Sequence, residues 1–183
     1  MNDKAEKVYA EAFFELCKEE SPERLTDAIG ELSTLDGIFG QDPDFIKLLG
    51  TPTVPINEKL EMIKDIISAG GISESTGSLL CVLTEAGRMG CFSGIVKNFR
   101  ASCNEYFRIA EITVTSSAPL SEQVREKITA KMSQITGKTV SIREKVDPSI
   151  IGGIVIDYGS TRYDGSVRTR LSELKRELGG VIA

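Results

Sequence analysis

A chain of 183 residues with 40% apolar and 27% charged side chains has the composition of a soluble globular protein able to bury a core, and is neither disordered nor fibrous. It contains no histidine, which removes the commonest general base and the usual serine and cysteine triads. The net charge of −5 is unevenly held: residues 1–110 carry 18 acids and 11 bases, residues 111–183 carry 9 and 11, so the front half excludes a nucleic-acid arm and the back half has too small a basic excess for a backbone-binding surface.

The start, "MNDKAEKVYAEAFFELCKEE", carries acids throughout, unlike a signal or transit peptide, and no apolar run approaches the ~20 residues of a membrane-spanning helix; the expectation is a cytosolic protein of bacterial type. Within it, Ala5, Val8, Tyr9, Ala12, Phe13 and Leu16 recur at helical spacing, with Lys4, Glu11, Glu15 and Lys18 opposite. A second helix starts at Ser21 as N-cap and Pro22 at the first helical position, with Leu25, Ile29, Leu32 and Leu35 or Asp36 along one face. "DPDFIKLLG" predicts a short third helix. A loop with two prolines leads to a fourth, with Leu60, Ile63 and Ile67 in register and Gly70 and Gly71 at its end. "SESTGSLLCVLTEAGRMG" predicts a fifth, apolar all round over residues 79 to 83, and "FSGIVKNFRASCNEYFRIA" a sixth.

At Glu111 the period changes to two, and "EITVTSS" alternates Ile112 and Val114 with threonines, a strand signal. "PLSEQVREKITAKMSQITGK" then predicts a helix capped by Ser121 with Val124, Ile128, Met132 and Ile135 inward. "TVSIREKV" predicts a second strand with Val140, Ile142 and Val146 on one face, and "IIGGIVIDYG" a third, apolar on both faces. The fold class is therefore α+β: an N-terminal six-helix bundle over residues 1–105 followed by a small C-terminal α/β domain over residues 106–183, joined without a low-complexity linker.

The cysteines, Cys17, Cys81, Cys91 and Cys103, are scattered without a close pair and read as free thiols; only an all-cysteine zinc site would otherwise be open to them. The glycine- and arginine-rich stretch "GGIVIDYGSTRYDGSVRTRL" raises the question of a phosphate loop. Gly159 and Ser160 suit a tight hairpin between β-like segments, and Asp164 to Ser166 offers oxygens to a helix striped by Val167, Leu171, Leu174 and Leu178. Gly152 and Gly153 precede a strand, where close backbone packing is natural. The "GxxxxGK[ST]" order and its lysine are missing, so the glycines act as turns and the stretch predicts no nucleotide site. No cofactor is predicted, and an enzyme built on Gly152 and Gly153 has no candidate base. A ribosome-associated RNA-binding reading would use Arg162, Arg168, Arg170, Lys175 and Arg176, but few aromatics lie near them.

The run "VDPSIIGGIVIDYGSTRYDGSVRTRLSELKREL" resembles the C-terminal motif of the delta subunits of F-type ATP synthases, the counterparts of the mitochondrial oligomycin-sensitivity-conferring protein. "VYAEAFFEL" is similar to that family's first helix and "LLCVLTEAGRM" to its fifth, so the resemblance spans the whole chain. Two positions depart from it: Ala86 stands where the family usually has asparagine, and Val8 where proline is common.

The resemblance implies a non-catalytic stator subunit: a helical domain on the catalytic head, an α/β domain on the peripheral stalk, and resistance to rotor torque during proton- or sodium-driven ATP synthesis. It implies as partners an amphipathic N-terminal helix of an alpha subunit, in the groove of the first and fifth helices, and the C-terminal ends of the b subunits. The matching residues here are Tyr9, Ala12, Phe13 and Leu16 on one side and Leu79, Val82, Leu83 and Ala86 on the other. Arg168 and Arg170 are candidates for acidic stalk residues, and Gly152, Gly153, Asp164, Gly165 and Ser166 form the structural motif. No nucleic acid is implied, and contact with the membrane is only indirect, at the cytoplasmic face of the bacterial plasma membrane; the isolated chain is expected to be a monomer.

Overall fold

The computed structural model describes residues 2–51 and 54–181, and divides into two compact units, residues 1–103 and 104–183. Pro52 of the proline loop lies outside the described residues. The α+β class is borne out, with eight α-helices and one four-stranded sheet among the described residues.

In the N-terminal unit α1 spans Asn2–Glu20, α2 Pro22–Gln41, α3 Pro43–Gly50, α4 Ile56–Gly70, α5 Glu74–Glu85 and α6 Phe92–Tyr106, the last continuing past the boundary between the units. The helix starts follow local chemistry. The Ser21 side chain accepts from the Arg24 amide, Asp42 from the Phe45 amide and Ser73 from the Thr76 amide. Gly71, at φ 59°, closes α4 in the left-handed conformation. Leu25, Ala28, Leu32, Leu35 and Phe39 of α2 are buried, and Phe13 of α1 packs on Phe99 of α6 with ring centroids 5.1 Å apart. Phe39 meets Phe92 edge-on at 5.2 Å.

The C-terminal unit holds β1 (Ile109–Ser116), α7 (Glu122–Thr136), β2 (Thr139–Val146), β3 (Ile154–Tyr158), β4 (Thr161–Asp164) and α8 (Val167–Val181). The sheet order is β2-β1-β3-β4, with β1 parallel to β2 and the other pairs antiparallel. β1 begins at Ile109, two residues before the change of period at Glu111, because Ile109 and Ala110 also pair, with Thr139 and Val140. Ile112 and Val114 pack on Ile128 and Met132 of α7, with Val140, Ile142, Ile154 and Ile156 around them. Tyr158 pairs with Thr161 across Gly159, at φ 57°, and Ser160, the predicted tight hairpin.

Two apolar positions expected to face inward do not. Val124 and Ile135 at the two ends of α7 are exposed, since a straight helix on a twisted sheet touches it mainly with its middle turns. Val146, at the end of an edge strand, is exposed too, as are Val167, Leu171 and Leu174 of α8; the side chain of Leu178 lies outside the described residues. Ser121 precedes α7 with extended backbone but makes no side-chain capping bond.

Candidate partner-binding surfaces

Helix α1 is apolar on two sides. Ala10, Phe13 and Cys17 are buried, at a spacing of three and four. Val8, Ala12 and Leu16, one turn apart on a different face, are exposed, Val8 at 57% and Leu16 at 45%. A stripe of this kind is ordinarily core; here nothing among the described residues covers it. Tyr9 lies between the two faces and is half-buried. On α5, which lies beside α1, Val82 is 48% exposed and Ala86 is exposed. The sequence-derived groove set therefore splits. Tyr9, Ala12, Leu16, Val82 and Ala86 reach the surface, whereas Phe13, Leu79 and Leu83 are buried core residues, because the face of α5 that carries Leu79 and Leu83 turns toward the other helices.

The end of α5 orients this surface. Gly87 sits at φ 64°, the Arg88 amide donates to the Leu83 carbonyl at 2.8 Å and the Gly87 amide to the Thr84 carbonyl at 3.1 Å, which is the Schellman arrangement. Ala86 leaves the turn intact because the backbone closes it alone. The reversal carries Arg88 back over α1: its guanidinium carbon lies 5.5 Å from the centre of the Tyr9 ring and Nη1 donates to the Tyr9 hydroxyl at 3.4 Å. Arg88 and Val8 were not among the sequence-derived site residues; the glycine-arginine pair ending α5 was the readable signal for Arg88.

The other end of α5 is pinned by a polar cluster. Arg24 of α2 donates to Glu31 at 3.1 Å and to Thr76 at 2.7 Å, and also to Ser73, which in turn donates to Glu31 at 2.9 Å. Burial alone would raise the Glu31 carboxyl, but the hydrogen bonds from Thr76, Ser73 and Arg24, with the arginine charge, outweigh it and hold the group below its ordinary range. Both ends of α5 are thus fixed, leaving Val82 presented from a rigid helix.

In the C-terminal unit the glycine-rich motif is a backbone seam. Gly153 has φ 79°, and a Cβ there would lie 2.3 Å from the Gly165 carbonyl oxygen. The Gly165 amide donates to the Ile154 carbonyl at 2.9 Å and the Val167 amide to the Gly152 carbonyl at 3.0 Å. Asp164 accepts from the Ser166 amide at 2.9 Å, and Ser166 Oγ accepts from the Thr169 amide at 3.2 Å. The amides of Gly165, Ser166, Val167 and Thr169 are therefore satisfied within the chain, so the start of α8 presents a closed cap and not an anion cradle. Arg168 and Arg170 are both exposed.

Cys17 and Cys103 are buried, and burial pushes their thiols up to about 11 and about 12; Cys91 is buried and Cys81 is partly exposed. Among the described residues no group of three or more Cys, Asp or Glu side chains could hold a metal ion, and no helix is long and apolar enough to cross a membrane.

These features define a two-unit α+β protein whose distinguishing surfaces are uncovered apolar helix faces, the chemistry of a binding protein. The chain belongs to the ATP synthase delta (OSCP) subunit family, whose model matches residues 5–178. It is similar to the ATP synthase subunit delta of Exiguobacterium sp. (33% identical over 178 residues, covering 97% of this chain and 98% of the relative), of Anaeromyxobacter sp. (32%, covering 93% and 94%) and of Nitrobacter winogradskyi (30%, covering 93% and 90%). A chain of the Toxoplasma gondii mitochondrial ATP synthase hexamer shares the fold, with a TM-score of 0.71 at 24% identity over 94% of this chain and 96% of that one.

Proposed function

We propose that this delta-family protein is a stator element of the peripheral stalk, joining the catalytic head to the stalk. On this reading the α1 and α5 surface receives an amphipathic helix from the N-terminus of an alpha subunit, and the second unit of the chain receives the C-terminal ends of the b subunits. The chain performs no chemistry; it resists rotor torque from a peripheral position on the cytoplasmic face of the bacterial plasma membrane. The observation that carries the reading is the second apolar face of α1, Val8, Ala12 and Leu16, left uncovered in a member of this family, with Val82 exposed on α5. A monomeric soluble chain gains nothing from such a stripe unless another helix covers it.

Titration calorimetry with a peptide from the N-terminus of the alpha subunit tests this. Val82→Asp puts a charge into a contact that binding would dehydrate, and Tyr9→Ala removes the ring that Arg88 holds. Each is expected to weaken binding by about 1 to 3 kcal/mol, roughly one to two decades in Kd, with the circular dichroism spectrum unchanged. Unaltered affinity in both variants would place the binding surface elsewhere.

A further inference from the structure

The contact with Tyr9 uses little of what Arg88 can offer. A guanidinium carries five N–H donors in one plane, and stacking on a ring leaves them at its open edge. Only Nη1 is engaged, by the Tyr9 hydroxyl at 3.4 Å; the side chain is exposed and forms no ion pair among the described residues. Its place is nevertheless fixed from two directions. The backbone is held by the turn that closes α5, through the Leu83 carbonyl, and the side chain by the Tyr9 ring.

That place is the rim of the uncovered α1 stripe. Helices α1 and α5 run antiparallel, since Ser75 at the start of α5 donates to Glu20 at the end of α1 at 3.5 Å, while Arg88, just past the end of α5, reaches back to Tyr9. At about 100° per residue, Val8, Ala12 and Leu16 span roughly 80° of α1; Tyr9 and Glu20 follow on the α5 side, and Lys4, Glu11 and Glu15 lie on the opposite side. The other charges near the α5-side rim are otherwise engaged. Glu20 pairs with Arg24 at 3.6 Å, Glu6 lies against Gly94 of α6, and Glu85 lines a separate groove with Ile67 of α4 and Cys81. Glu19 falls within the arc of the stripe but at its far end, more than two turns from Tyr9.

A helix laid along the stripe passes this rim and strips water from the guanidinium. Dehydrating a cation without a partner is costly, whereas a carboxylate presents two oxygens to the planar fork and offsets that cost. We infer that Arg88 is a specificity-determining residue of the α1 and α5 surface: it receives a carboxylate side chain of the incoming helix, so the surface selects an amphipathic helix that brings an acid to the Tyr9 end over one that covers the stripe by apolar contact alone. Identifying that helix as the N-terminus of an alpha subunit rests on the proposed function.

The test titrates the full chain with the alpha-subunit N-terminal peptide, and with variants of it in which each carboxylate in turn is replaced by its amide. Arg88→Gln is expected to weaken the parent peptide about tenfold, with an unchanged circular dichroism spectrum and at most a small fall in melting temperature. One of the amide substitutions should weaken binding to the wild-type chain by a similar factor and leave binding to Arg88→Gln unaltered, the signature of a direct pair. Arg88→Lys, which keeps the charge without the fork, should recover part of the loss. Added salt should weaken the wild-type complex more than that of Arg88→Gln. If Arg88→Gln weakens the parent and every amide variant by one common factor, Arg88 acts only by holding Tyr9 and the inference is overturned; unchanged affinity in Arg88→Gln overturns it too. In both of those cases sensitivity to Tyr9→Ala and Val82→Asp persists and the docking reading stands. A peptide that fails to bind the wild-type chain, or binds it without regard to Tyr9 and Val82, defeats the docking reading and this inference together.

Discussion

Gly153→Ala probes the seam between β3 and the start of α8, and the structure sets its size. Alanine at φ 79° carries the left-handed penalty of an L residue, about 1 to 2 kcal/mol. Its Cβ would also stand 2.3 Å from the Gly165 carbonyl oxygen and 3.1 Å from Ser166 Cα, both backbone atoms, so no side chain can swing away to make room. The relief available is to part the two segments, which lengthens the Gly165-to-Ile154 and Val167-to-Gly152 hydrogen bonds at a further cost of about 1 kcal/mol each. The expected total is about 3 to 4 kcal/mol. Gly137→Ala is the control: it has φ 65° with nothing within 4 Å of an added Cβ, so only the conformational penalty of about 1 to 2 kcal/mol applies. Urea unfolding followed by far-ultraviolet circular dichroism measures both, and equal losses in the two variants would refute the clash argument.

Ser166→Ala removes a buried hydroxyl that accepts from the Thr169 amide, and is expected to cost about 1 kcal/mol in the same assay. A thiol reagent at neutral pH should modify Cys81 rapidly and Cys17 and Cys103 only after denaturation; a second fast thiol, or a fast reaction surviving Cys81→Ser, would contradict the burial pattern. The Asp164 carboxyl is held below its ordinary range chiefly by the Ser166 backbone and side-chain hydrogen bonds, so its contribution is present above about pH 4 and disappears as the pH falls through the lowered folded-state value. The urea midpoint should accordingly drop on acidification below about pH 4, less steeply in Asp164→Asn than in the parent chain.

Element type was legible almost throughout, because the apolar period switches from three and four to two at Glu111 and some helix starts carry a local signal such as Ser21 before Pro22. The hairpin at Gly159 was equally local. Which apolar residues face inward was less legible. Val8, Ala12 and Leu16 repeat at a spacing indistinguishable from that of Ala10, Phe13 and Cys17, and only the placement of α2, α5 and α6 decides which set is core. The same ambiguity put Phe13, Leu79 and Leu83 in the groove set and Val124 and Ile135 inward on α7. Arg88 was hidden for another reason: its meeting with Tyr9, 79 positions away, depends on how the turn after α5 is aimed, and spacing carries no such information.

The sheet order bears on synthesis. β1 is the first strand of its unit to leave the ribosome, yet it lies inside the finished sheet, between β2 and β3. Through α7 and β2 it gains a parallel neighbour within about 30 residues, while its other edge waits for β3, which begins at Ile154. During that interval the edge from Thr113 to Ser116 offers unpaired amides and carbonyls beside Ile112 and Val114, an open invitation to strand pairing between nascent chains. A polypeptide ending near residue 150 would hold that edge open permanently while also lacking Ile154 and Ile156 of the core, so aggregation of such a fragment would trace to the missing β3 on both counts.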